Sequence, residues 1–159
     1  MRAHSYALDL AWTGNTGTGT SGYRDYRREY VITMNGKPPL TASADRAFFG
    51  DPALHNPEDL LLAALSSCHL LSYLALAARA GIVVTSYHDS ASGTMHENGW
   101  GGGQFTTVVL RPRVTVADSA DVERAFELHS EAAKQCYIAA SVNFPVEHEP
   151  TVVAESAPS

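Results

Sequence analysis

Cys68 and Cys136 are the only two thiols in 159 residues. Reduced thiols in a cytosol serve as core filler, as metal ligands or as a redox pair, and the surrounding residues decide which. A peroxidase working by thiol chemistry needs one thiolate to attack a peroxide oxygen, giving a sulfenic acid, and a second thiol to resolve that acid into a disulfide. Two cysteines suffice. The attacker must also be ionised at neutral pH, which a neighbouring guanidinium promotes. Arg24 and Arg28 are the candidates, because Tyr23-Arg24-Asp25-Tyr26-Arg27-Arg28-Glu29-Tyr30 offers carboxylates that can hold an arginine in one orientation.

Each residue also has a plainer reading. A buried helical cysteine is more often packing than catalysis. Arg24 and Arg28 suit a solvated surface, and Glu58, in a first helical turn, suits the helix dipole. His69 directly follows Cys68, but adjacent helical residues point about 100° apart, so direct pairing is not expected. A cysteine and a histidine without regular ligand spacing argue weakly for zinc, and the seven histidines form no motif. No cofactor is expected.

A hydrophobic share of 45% and a charged share of 18% are those of a globular chain, and the length suits one domain over residues 1–159. The net charge of −6 leaves no phosphate-binding footprint, so nucleic acid is not an expected partner. Met1 to Leu8 lacks the continuous apolar core of a signal peptide, and a cytoplasmic location is expected. Leu60 to Ala78 carries no formal charge over nineteen residues, about a bilayer span. Ser66, Ser67, His69, Ser72 and Tyr73 interrupt it and strand patterns flank it, so a central helix covered by sheet is expected and no membrane partner.

The elements that position these residues follow from periodicity. Tyr6, Leu8, Leu10 and Trp12 alternate as in a half-buried strand, and glycines 14, 17, 19 and 22 mark a flexible loop. Tyr30, Ile32 and Met34, the turn signal Asn35-Gly36 and Leu40 to Ser43 complete a three-stranded meander. Asn56 is a good N-cap, Pro57 fits the first helical position, and the helix is expected to reach about Arg79 and stop at Gly81. Ile82 to His96 and Phe105 to Ala117 read as two long strands of one hairpin, with Val108, Leu110, Val114 and Val116 on one face. From Ala120 to Lys134 a second helix carries the stripe Val122, Phe126, His129 and Ala133 up to Cys136. A last strand runs from Val146 to Val153. The order implies an α+β fold, its two cysteine-bearing helices forming a buried layer on antiparallel sheet.

Asn56-Pro57-Glu58 with Leu61, Ala63-Ala64 and Cys68, and then Cys136 after Ala132-Ala133-Lys134-Gln135, resemble the OsmC/Ohr family of osmotically induced and organic hydroperoxide resistance proteins. The resemblance covers nearly the whole chain. It implies an interlocked homodimer that reduces organic hydroperoxides to alcohols, with Cys68 attacking and Cys136 resolving. It also implies that Glu58 and an N-terminal arginine steer the thiolate, and that a dithiol reductant, of lipoyl type or similar, recycles the pair. Arg24 in Gly22-Tyr23-Arg24-Asp25 resembles the Gly-x-Arg-Asp of the hydroperoxide resistance branch, whereas Arg28 is better placed at the strand start. Both stay open. The family commonly has an aromatic after the first cysteine and proline after the second; His69 and Tyr137 stand there, as in an OsmC-like subgroup outside the best characterised branches.

Helix geometry adds an independent constraint. Ten residues separate Glu58 from Cys68, about 15 Å along one straight helix, so a site using both requires a second copy of the chain. Two other functions compete with the peroxidase: a non-catalytic protein holding a small apolar ligand between its helices, and a cysteine hydrolase with His69 or His129 as base.

Overall fold

The alternating N-terminal pattern produces a strand only at its end. In the computed structural model, which describes residues 1–156, β1 spans Asp9–Trp12. β2 (Tyr30–Thr33) and β3 (Leu40–Ala42) follow, and the three form the expected antiparallel meander in the order β1-β2-β3. Gly36, at a φ of 73°, supplies the left-handed turn between β2 and β3. The expected half-burial of β1 is not observed: all four residues are exposed, and Tyr6 and Leu8 before it are exposed too. The glycine-rich segment is a loop whose bends are set by Asn15, its side-chain oxygen accepting from the N–H groups of Gly17 and Gly19.

Contacts divide the chain into two compact units, Met1–Leu61 and Leu62–Ser159, with the boundary inside the first long helix. That helix, α1, spans Pro57–Arg79. Asn56 and Asp59 build a reciprocal cap at its start, Asp59 N–H donating to Asn56 Oδ1 at 2.8 Å and Asn56 N–H to Asp59 Oδ2 at 3.2 Å. Gly81, at a φ of 73°, ends it, and Ile82 N–H returns to the Ala77 carbonyl at 2.9 Å.

The expectation that sheet covers α1 holds for one stripe only. Leu65, His69, Tyr73 and Ala77, spaced by four, are buried, whereas Leu71 is 66% and Leu74 37% exposed. By length and apolar composition the helix is long enough to cross a membrane, and its buried stripe is narrow. That stripe packs on the second unit's own core, where Tyr73 and Ala77 meet Ile82, Val114, Val116 and Leu128.

The expected single long hairpin is broken in the middle. Its strands are β4 (Val84–Asp89), β5 (Ser92–Glu97), β6 (Gly103–Leu110) and β7 (Pro112–Val116). The tip halves β5 and β6 pair in one sheet while β4 and β7 pair in another. Asp89 accounts for the break: its Oδ1 takes the Arg111 N–H at 2.7 Å, and Pro112 offers no N–H at all, so the ladder cannot run through. Val108 and Leu110 on β6 and Val114 and Val116 on β7 are all buried, but they belong to two sheets rather than to one shared face.

α2 spans Val122–Gln135, and the last expected strand is two, β8 (Val146–His148) and β9 (Thr151–Ala154), split at Glu149-Pro150. β8 lies parallel to β6 and β9 parallel to β7, so the fold is α+β but its sheets are mixed rather than antiparallel. The buried face of α2 is Ala125, Leu128, His129 and Ala132, and Phe126 is 51% exposed. The buried face is rotated from the expected stripe: Ala125, Leu128 and Ala132 pack in the core cluster with Val114 and Val116, and Phe126 lies outside it.

Candidate active site

Cys68 lies in the middle of α1 and Cys136 just beyond α2, as its C-cap with an extended backbone rather than inside the helix. Both are free thiols. They line one cavity of about 600 Å³, within the range typical of small-molecule sites. Leu71, Ser72, Ala75 and Arg79 continue that wall from Cys68 at helical spacing, and Lys134 and Tyr137 flank Cys136 on the other wall. The thiols are not equivalent. Cys68 is half-buried and Cys136 only 2% exposed. Burial, and then a hydrogen bond with the Cys68 thiol, push the Cys136 thiol above its usual range, so Cys136 holds its proton at neutral pH. The Ala139 N–H donating to Cys136 Sγ at 3.4 Å opposes that shift without cancelling it.

The sequence offered His69 and His129 as bases for a cysteine hydrolase. The structure turns His69 away from Cys68 into the core, fully buried, where its Nε2 lies 3.0 Å from His129 Nδ1. Among the described residues no histidine hydrogen-bonds either thiol. His148 completes the cluster, 4.5 Å from His69 between ring centroids, and Tyr73 stacks on His129 at 4.0 Å. Burial lowers His69 to about 4 and His129 to about 3, so both rings are neutral at physiological pH. The outer nitrogens, His69 Nδ1 and His129 Nε2, have no hydrogen-bond partner among the described residues. Scattered histidines gave no motif; the available signal was that both fall on apolar helix faces. No set of three or more His, Cys, Asp or Glu side chains is arranged to hold a metal among the described residues.

Arg24 and Arg28 belong to the first unit and line a cavity of about 370 Å³ with Tyr26, Arg27 and Phe49. Arg28 is the more firmly held. Its Nη1 donates to the Tyr26 carbonyl and its Nη2 to the Tyr23 carbonyl, both at 2.6 Å, and its guanidinium lies 4.0 Å over the Tyr26 ring. Arg24 lies 5.0 Å over the Phe49 ring. The arginine that pairs with a carboxylate is their neighbour Arg27, through Glu29. Gly14 fixes this segment from the β1 side: a Cβ there would fall 1.8 Å from the Arg27 carbonyl oxygen. Glu58 stands in the first turn of α1, and after burial its carboxylate is the second cause that holds the Tyr30 hydroxyl above its ordinary range.

No curated protein matches the chain. An OsmC-like protein of unknown function from Vibrio cholerae is 30% identical, with a TM-score of 0.83 over 94% of this chain and 100% of that one. An organic hydroperoxide resistance protein from Legionella pneumophila is 16% identical, with a TM-score of 0.68 over 96% of this chain and 98% of that one. One from Elizabethkingia anophelis, with thiocyanate bound, is 17% identical, with a TM-score of 0.66 over 97% of this chain and 100% of that one. Both share the fold. The OsmC-like protein family matches residues 50–151, a span that includes Glu58, both thiols and all three clustered histidines. With its paired thiols in one cavity and this match over most of its length, the chain belongs to the OsmC-like family.

Proposed function

We propose that the protein is a thiol-dependent peroxidase that reduces organic hydroperoxides to alcohols, with Cys68 as nucleophile and Cys136 as resolving thiol. The observation that carries this reading is the shared cavity, which brings a half-buried and a buried free thiol together. Family membership and the hydroperoxide resistance named for proteins of the same fold accord with it.

The Cys68 thiolate attacks one peroxide oxygen. An S–O bond forms, the O–O bond breaks, and the departing alkoxide takes a proton to leave as the alcohol. Cys136 then attacks the sulfenic sulfur, an S–S bond forms, and the S–O oxygen leaves as water. A dithiol reductant donates two electrons and two protons, restores both thiols and is itself oxidised to a disulfide. The raised Cys136 thiol keeps its proton during the first step and does not compete with Cys68 for peroxide; it gives that proton to the departing oxygen when it attacks the sulfenic sulfur. The apolar walls at Leu71 and Ala75 favour an alkyl peroxide over hydrogen peroxide, because burying the alkyl tail gains free energy.

Glu58 and Arg28 steer the thiolate in this reading, with Arg24 as the alternative arginine. A homodimer follows from the helix: Glu58 and Cys68 lie ten residues apart on one α1, so Glu58 serves the Cys68 of a second copy. The exposed apolar residues Leu74 on α1, and Leu10 and Trp12 on β1, provide surface for that assembly.

The test is a thiol count before and after one equivalent of an organic hydroperoxide. Two thiols lost, with one alcohol formed and an intact mass lower by two hydrogens, is the expected result. Thiols that survive the peroxide would instead favour a non-catalytic protein that holds an apolar ligand.

A further inference from the structure

Among the described residues Phe49 alone, other than glycines, has a positive φ, 62° with a ψ of 26°. For an aromatic side chain that left-handed backbone is strained. The turn around it holds the strain. Asp45 caps a short 3-10 turn, Arg46–Phe48, its Oδ1 accepting from Ala47 N–H at 2.7 Å and its carbonyl from Phe48 N–H at 2.9 Å and Gly50 N–H at 3.0 Å. A Cβ on Gly50 would fall 1.6 Å from the Ala44 carbonyl oxygen, so the turn closes too tightly there for any side chain. Asp51 N–H donates to the Oγ of buried Ser43 at 3.0 Å, and Ser43 N–H to the His55 carbonyl at 2.9 Å, next to the Asn56 cap of α1. These bonds explain how the backbone is held but not why a phenyl ring stands on it. Glycine or asparagine adopts it with less strain, and the ring is 48% exposed, so burial does not require it.

The ring meets the arginine segment instead. Tyr23 packs edge-on to it at 5.5 Å, and the guanidinium groups of Arg24 and Arg28 lie 5.0 Å and 5.4 Å from its centroid. Tyr23 in turn holds Arg28 twice, by its ring at 4.7 Å and by its carbonyl, which accepts from Nη2. Phe49 therefore touches Arg28 directly and braces the tyrosine that holds it. We propose that Phe49 is a positioning residue: its ring clamps the arginine segment and keeps the Arg28 guanidinium in one orientation, on a turn bonded to the start of the helix that carries Glu58. That Arg28 then serves a peroxide rests on the peroxidase reading; the clamp on Arg28 does not. Tyr23 to Arg28, Phe49 and Glu58 all belong to the first unit, so the clamp is complete in one chain and is carried whole to the Cys68 of a second copy.

Three substitutions separate the ring from the backbone: Phe49→Tyr keeps the aromatic face, Phe49→Leu keeps apolar bulk without it, and Phe49→Asn suits the left-handed backbone but removes the ring. The Arg28 Nε–H resonance, assigned by its loss in Arg28→Ala, reports the order of the guanidinium by its heteronuclear NOE and needs no turnover. That NOE stays at its wild-type value in Phe49→Tyr and falls by about half in Phe49→Leu and Phe49→Asn. The thermal midpoint of Phe49→Asn equals or exceeds that of wild type, because the strain is relieved, so the order is lost without loss of stability. A merely structural ring would lower both together. The stopped-flow rate of Cys68 with an organic hydroperoxide falls about fivefold in Phe49→Asn, and the same substitution made in Arg28→Ala adds no further loss, since Phe49 acts through Arg28. An unchanged Arg28 NOE in both Phe49→Leu and Phe49→Asn overturns the proposal, and so does a loss of rate that adds in full to that of Arg28→Ala. If wild type consumes no peroxide at all, the peroxidase reading fails, and the Arg28 NOE still decides the clamp.

Discussion

His69 and His129, sixty residues apart in the chain, meet in the core with Nε2 of one 3.0 Å from Nδ1 of the other. Neither ring is solvated and only one side of each is hydrogen-bonded, so both must be neutral for the fold to persist. Their positions tie α1 and α2 together close to the thiols: His69 directly follows Cys68 on α1, and His129 on α2 lies seven residues before Cys136 at its C-cap.

Acid should therefore destabilise the protein in a defined window. Folded pKa values of about 4 for His69 and about 3 for His129 lie below the ordinary 6.5. Between 6.5 and about 4 the unfolded chain binds protons that the folded chain does not, so stability is full above 6.5 and falls as pH drops through the window. Each histidine contributes a slope of about 1.4 kcal/mol per pH unit there. Urea unfolding at several pH values should show this slope in wild type and one proton less in His129→Phe, whose ring can still stack on Tyr73. Equal slopes would mean that His129 is protonated in the fold.

Cys136→Ser separates the two chemical steps. The first oxidation should proceed while the second cannot, leaving Cys68 as a sulfenic acid that takes up further oxygen. Intact-mass spectrometry should find one and then two or three added oxygens on Cys68 and no disulfide. Normal cycling of this variant with a dithiol would make Cys136 structural. Cys68→Ser should lose peroxide consumption altogether, because a serine hydroxyl supplies almost no anion at neutral pH.

The two arginines should differ. Arg28 is fixed by two carbonyls and the Tyr26 ring, so its guanidinium is already oriented, whereas Arg24 rests on one ring. Arg28→Ala should slow the reaction of peroxide with Cys68 by about tenfold or more, and Arg24→Ala by about twofold at most. Stopped-flow rates for each variant decide the assignment, and the reverse order would give the role to Arg24.

A shared site predicts rescue between inactive chains. Glu58→Gln and Cys68→Ser, each inactive alone, should regain about a quarter of wild-type activity when mixed and allowed to exchange subunits, since half the dimers are mixed and each carries one intact site. Sedimentation at micromolar concentration should report twice the chain mass. A fully active monomer would leave Glu58 as a first-turn charge on α1 and nothing more.

By itself the sequence determined what local rules control. The Asn56 cap, Pro57 and Gly81 bounded α1 because capping and left-handed backbone are properties of a few adjacent residues. The period of two marked Val108, Leu110, Val114 and Val116 as buried, and the spacing around Asn56 to Cys68 pointed to the family. Tertiary structure alone decided the rest. The long hairpin broke because Asp89, twenty-two residues away, captured the Arg111 N–H, and the last strands lie parallel because their partners are set by where α2 returns the chain. The α2 stripe turned from Phe126 to Ala125 and Ala132 because close packing rewards shape, which a pattern of apolar letters does not record. Three histidines with no spacing in common converged for the same reason: each was carried by a different element, and only packing brought those elements together.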